Sequence, residues 1–158
     1  MSETNEELKM SPDEIEMPSA PGKGMSVISY RMPSEVAAKV IVPIAHSDIM
    51  FCGIQVIRAD GETNLHSHSG MDGLWFVLSG RMRFYGEGDK LVGEFGKHEG
   101  VFVPRNVPYW FESVGDEPLE LLQAESIDRR VPNRRTDFQP KKSATLNSKV
   151  VRGASRPA

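Results

Sequence analysis

The chain has 158 residues, with 19 Lys and Arg against 22 Asp and Glu and a formal charge of −3. That length suits one domain, and a 39% hydrophobic share beside 14 Gly and 11 Pro implies that part of the chain does not pack. No apolar run is long enough to span a membrane, the acidic start lacks the apolar stretch of a secretory signal, and the single Cys52 permits neither an internal disulfide nor a cysteine zinc cluster. A cytoplasmic protein with no membrane partner is expected.

Residues 1–25 hold six acids against Lys9 and Lys23 and few apolar residues, so a disordered acidic tail is expected there. Met32–Lys39 has the composition for a turn or two of helix beginning near Ser34. From there to about residue 127, short runs rich in Val, Ile, Phe, Trp and Tyr recur between turn residues. They are Lys39–Ile44, Ile49–Ala59, Leu74–Leu78, Met82–Tyr85, Gly100–Val103, Tyr109–Phe111 and Leu119–Leu122. Turn signals stand at Asp60-Gly61, Ser79-Gly80, Gly86-Glu87-Gly88-Asp89, Pro104-Arg105-Asn106 and Gly115-Asp116. Runs this short and this evenly spaced read as strands, and many of them make an all-β sandwich or barrel over 26–127.

Residues 128–158 carry nine bases against Asp128 and Asp137, an extended or disordered basic tail. Aromatic residues do not interleave with those bases apart from Phe138, and the 26–127 core is acidic. Nucleic acid is therefore not an expected partner; an arm lying across the acidic core, of the same or a partner subunit, is.

His66-Ser67-His68 is the sharpest chemical feature. Two residues apart on a strand, both imidazoles project from one face within reach of one ion. A loop histidine and a surface histidine without a shared task fit the spacing equally well.

Asp60-Gly61, the His pair and Asp72-Gly73-Leu74-Trp75-Phe76-Val77-Leu78-Ser79-Gly80 together resemble the first motif of the cupins. Gly100–Phe111 resembles the second, with its turn between two strands. The resemblance covers about residues 45–125. It implies a single cupin jelly-roll β-barrel, a homodimer, and a function drawn from dioxygenases, isomerases, epimerases, lyases or pure binding proteins. Two departures stand out. Counted back from Gly80, the family's glutamate position is Gly73, with Asp72 just before it. The second motif keeps only Pro104: His98 and Asn106 take its two glycine positions, Tyr109 its histidine and Ser113 its asparagine. Asn tolerates the left-handed backbone that a turn glycine supplies.

The metal-ligand candidates are then His66, His68, Tyr109 and Asp72, with Asp72 facing away if it lies inside the strand. Two imidazoles and an oxygen ligand suit Fe or Mn better than Zn or Ni, and point to an oxygenase-type metal enzyme. The alternative is a metal-free barrel that binds a sugar or metabolite through the same histidines. Tyr109 reads equally as a ligand and as a hydrogen-bonded inward aromatic. By strand alternation Trp75, Met82, Phe84 and Phe111 are core residues that can also wall a small-molecule pocket. Lys39–Ile44 and the strand around Leu119–Leu122 are candidate dimer seams.

Overall fold

The structure, a computed structural model, describes residues 24–58, 63–151 and 154–157. Most of the expected acidic tail, Asp60 and Gly61 lie outside those residues. The fold is a jelly-roll barrel of short antiparallel strands. One layer is a six-stranded sheet whose neighbours run β12 (Lys149–Val150), β2 (Lys39–His46), β3 (Met50–Ile57), β10 (Leu119–Ile127), β5 (Met71–Ser79) and β8 (Gly100–Val103). The facing layer holds β7 (Leu91–Phe95), β6 (Met82–Tyr85) and β9 (Trp110–Ser113), then β4 (His66–His68) and β11 (Arg135–Asp137). An antiparallel bridge between His66 and Tyr109 joins those two groups.

Alternation decides what fills the barrel. Trp75 and Val77 of β5, Met82 and Phe84 of β6, Phe111 of β9 and Leu119 and Leu121 of β10 all turn inward. Each is nearly or completely shut off from solvent. Burying each such side chain contributes about 1.5–3 kcal/mol, which makes this cluster the main source of stability. Gly80 closes the turn from β5 to β6 with φ of 80°, and a Cβ there would meet the Pro118 carbonyl oxygen at 2.5 Å. Only glycine fits that turn.

The sequence expectation differs from the structure in several places. Met32–Lys39 forms no helix. Pro33 interrupts it, and Tyr30 and Ala37 instead pack on Val40, Val42 and Val56 on the outer face of β2 and β3. The one α-helix among the described residues is short, Ser143–Leu146. Strand β7 was not expected. It is largely exposed and has Gly93 at its centre, so it lacks a hydrophobic period and forms by pairing with β6. Of the two candidate seams, β10 lies between β3 and β5, whereas β2 is covered on its outer side by β12 only at Val40 and Ile41.

Beyond Asp128 the chain stays on its own barrel. Asp128 accepts hydrogen bonds from the Arg130 backbone N–H and guanidinium, and pairs with Arg105. Strand β11 then pairs antiparallel with β4, setting Arg135 against His68 and Asp137 against His66. Strand β12 adds to β2 in parallel, and β13 (Ala154–Pro157) pairs with β1 (Ser26–Ser29). Among the described residues no helix is long and apolar enough to cross a membrane.

Candidate functional site

Strand β4 brings the two histidines into the barrel. Both are buried, and their rings meet edge to face with centroids 5.1 Å apart. His66 Nδ1 lies 2.6 Å from the Asn64 carbonyl oxygen, which makes that nitrogen the donor and leaves Nε2 as an acceptor. Burial holds the His66 imidazole down to about 3, and burial also lowers His68. Both rings are therefore neutral across the physiological range.

Tyr109 stands beside them. Its backbone exchanges two hydrogen bonds with His66, and the ring centroids are 4.5 Å apart. The other side of the phenol stacks on Phe84 at 5.5 Å, with Trp75 at 5.6 Å. Burial, with the charge of Glu125 behind it, pushes the phenol well above its ordinary range. A phenolate is disfavoured in that setting.

Asp72 does not join this group. It lies within β5, so it faces away from the side of Gly73 and Trp75. Its carboxylate accepts from the Arg105 backbone N–H at 2.8 Å and sits 3.4 Å from that guanidinium. Met82 and Phe84 belong to the packed core. Trp75 and Phe111 are the two of the four expected wall residues that reach internal space.

That space is two narrow chambers, each leaving about 10 Å³ for the centre of a water molecule, room for about one water. Trp75 and Tyr109 wall both. One chamber also touches His68, Val103 and Glu125, the other Lys39, Gln55, His66 and Arg135.

Four polar residues in or beside the chambers escaped the sequence reading: Lys39, Gln55, Gln123 and Glu125, each at least nine-tenths buried. Gln55 Nε2 donates to Gln123 Oε1 at 2.7 Å, and Gln123 Nε2 donates to Glu125 Oε1 at 2.8 Å. The relay joins two strands, with Glu125 lining the first chamber and Gln55 the second. Burial raises the Glu125 carboxyl and pushes Lys39 down to about 7. A signal for two of them was present. Leu119 and Leu121 share one face of β10, and the same alternation carries Gln123 and Glu125 inward.

These residues do not fit a resident metal. Among the described residues no three imidazole, thiol or carboxylate groups converge closely enough to hold an ion. Gly73 supplies no side chain, Asp72 is turned to Arg105, and Tyr109 is held as a phenol. The position of the missing glutamate is partly filled, since a Cβ on Gly73 would lie 3.3 Å from Trp75 Nε1.

Residues 53–125 match the family described as the cupin domain. That stretch of the chain is a cupin domain. Solved structures agree in fold. An uncharacterized conserved protein with a double-stranded β-helix domain from Klebsiella pneumoniae is 12% identical, with a TM-score of 0.59, over 70% of this chain and 87% of that one. An RmlC-like cupin protein from Desulfovibrio desulfuricans is 20% identical, with a TM-score of 0.54, over 63% and 96%. An RmlC-like cupin family protein from Methanocaldococcus jannaschii is 17% identical, with a TM-score of 0.55, over 68% and 96%. No curated protein matches the chain. At these identities the likeness establishes the fold and leaves the chemistry to the residues of the site.

The two glycine positions of the second cupin motif have a structural counterpart. His98 and Asn106, which replace them, both take positive φ, 69° and 65°. Both positions thus take the left-handed backbone that glycine adopts without strain.

Proposed function

We propose that this cupin binds a small polar molecule inside its barrel without a resident metal. The observation that carries the reading is the indole N–H of Trp75. It is buried beside Gly73, which with Trp75 lines the first chamber, and no group among the described residues accepts its hydrogen bond. A buried donor left unsatisfied costs about 1–3 kcal/mol, so a bound acceptor gains that much by entering. Neutral His66 offers an acceptor nitrogen and the Tyr109 phenol offers a donor, which suits a ligand with both kinds of polar group.

Metal analysis of the protein as purified, together with native mass spectrometry, tests this. The expected result is metal well below one ion per chain, no rise in melting temperature on adding Mn(II) or Fe(II), and a small non-covalent adduct. Stoichiometric metal that disappears in His66→Ala would overturn it.

One observation favours the second reading, a metal-dependent oxygenase-type enzyme on His66 and His68. The hydrogen bond from His66 Nδ1 to the Asn64 carbonyl orients the ring as ligand histidines are oriented, with Nε2 free to donate its lone pair. The same metal analysis decides between them. The proposal includes a homodimer. Leu74 and Phe102, cross-strand neighbours on the outer face of the larger sheet, are 40% and 61% exposed, an apolar pair that a second copy would cover.

A further inference from the structure

The two chambers differ in what separates them from solvent. Of the nine residues around the first chamber, seven are buried, from His68 on β4 to Glu125 on β10. The other two, Pro104 and Val107, also face solvent, Val107 with 44% of its surface. Both belong to the turn between β8 and β9, residues 104–108. Around the second chamber no described lining residue is exposed. Among the described residues, the thin wall of this internal space is therefore that one turn.

The turn is fastened at its rim and buries little of itself. The Arg105 backbone N–H donates to Asp72 Oδ1 at 2.8 Å, and the Arg105 guanidinium lies 3.4 Å from Asp72 and pairs with Asp128. The Asn106 N–H donates to the His68 carbonyl oxygen at 2.7 Å. Pro104, Asn106 and Val107 are all exposed, so displacing them uncovers little apolar surface. Ion pairs as exposed as those of Arg105 hold weakly against water, and segments with few buried contacts open before the rest of a fold. Both ends are firm by contrast. Val103 pairs with Gly73 across β8 and β5, and Tyr109 bridges His66. Motion is confined to the five residues between them.

We propose that residues 104–108 form the entrance of the barrel, with Val107 as the plug over the first chamber and Arg105, held by Asp72 and Asp128, as the latch. The proposal rests on the small-molecule pocket reading and gives that pocket its access. With the turn shut, the first chamber has room for about one water. A larger ligand enters only when Val107 swings outward, as loops do that gate other binding sites. Asp72, which stands apart from the histidines, then acts on the pocket through Arg105.

Acrylamide quenching of tryptophan fluorescence reads this opening with no ligand needed. Trp110 stacks on Tyr85 and lines neither chamber, so Trp110→Phe leaves Trp75 as the single tryptophan. In that background Trp75, only 3% exposed, is expected to be poorly quenched. Val107→Gly and Arg105→Met should each raise the quenching constant severalfold, while Val107→Ile stays at the parent value. Val56→Ala trims a buried residue of the outer-face cluster that lines neither chamber, and controls for general loosening. It should leave quenching low. Far-UV spectra and melting temperatures check that the variants fold.

Unchanged quenching in both Val107→Gly and Arg105→Met would overturn the entrance, and so would an equal rise in Val56→Ala. If native mass spectra show the small adduct while neither variant gains quenching, the pocket reading stands and the entrance proposal falls. If quenching rises as expected and no adduct appears, the turn stands as the seal of the chamber and the small-molecule reading falls.

Discussion

Glu125 stands directly across the β5–β10 strand pair from Gly73, the position where cupins carry the glutamate of their first motif. A carboxylate is therefore present one strand away from its usual place. It accepts from Gln123, and burial raises it, so it acts as a hydrogen-bonded core group.

The free face of Gly73 is bounded by Trp75 Nε1, 3.3 Å from where a Cβ would sit. Gly73→Ala should cost about 1 kcal/mol or less, since the indole has only to shift by tenths of an ångström. Gly73→Glu should cost about 3 kcal/mol, because it drives a second carboxylate into the indole opposite Glu125. Urea unfolding of the two variants checks the order; equal stability would contradict it.

The Gln55–Gln123–Glu125 relay predicts non-additivity. Gln55→Leu removes the donor to Gln123 Oε1 and should cost about 1–3 kcal/mol. With Gln123→Leu already in place, the same change should cost measurably less. A double-mutant cycle by urea unfolding reads the coupling, expected at about 0.5–3 kcal/mol. Strict additivity would mean that the two amides do not bond.

His98 has φ of 69° in an exposed turn, where a side chain strains the backbone. His98→Gly should match or exceed the parent in melting temperature, and His98→Ala should fall below the glycine variant by about 1 kcal/mol. The reverse order would show that the His98 side chain supplies a stabilising contact larger than the strain.

Acid should act through His66. Its native imidazole is held near 3, below the ordinary 6.5, chiefly by burial. Between those values the unfolded chain takes up a proton that the native state refuses. Stability therefore falls as pH drops from 6.5 toward 3, by at most about 1.4 kcal/mol per pH unit for this one group. His66→Gln should flatten that slope, with the lowered His68 accounting for part of what remains. Parallel slopes in parent and variant, measured by urea unfolding at several acid pH values, would refute it.

The segment after Asp128 is anchored by polar groups. Phe138 is 52% exposed and Val131 43%, whereas the Arg135 side chain is only 10% exposed and bonds Asn64 and Asp137. Arg135→Ala should cost about 2 kcal/mol, since Asn64 Oδ1 and the Asp137 carboxylate each lose a donor. Phe138→Ser should change stability by less than about 0.5 kcal/mol. Thermal unfolding of the pair distinguishes a polar clasp from an apolar one.

The sequence by itself determined the barrel. Alternating apolar residues in β5, β6 and β10, with turn residues between the runs, leave a chain few ways to bury Trp75, Val77, Phe84, Leu119 and Leu121 except between two sheets. The spacing of His66 and His68, and the place of Tyr109 opposite them, were legible for the same reason: strand alternation is a local rule. Only the tertiary structure decided what those residues face. Whether Lys39, Gln55 and Glu125 point to solvent or into a chamber depends on which face of a strand another layer covers. That Asp72 belongs to Arg105 depends on where β5 begins. Strands β7, β11 and β12 exist because partners distant in sequence offer them free backbone groups. Such pairing energy lies between segments, and no single segment carries its signal.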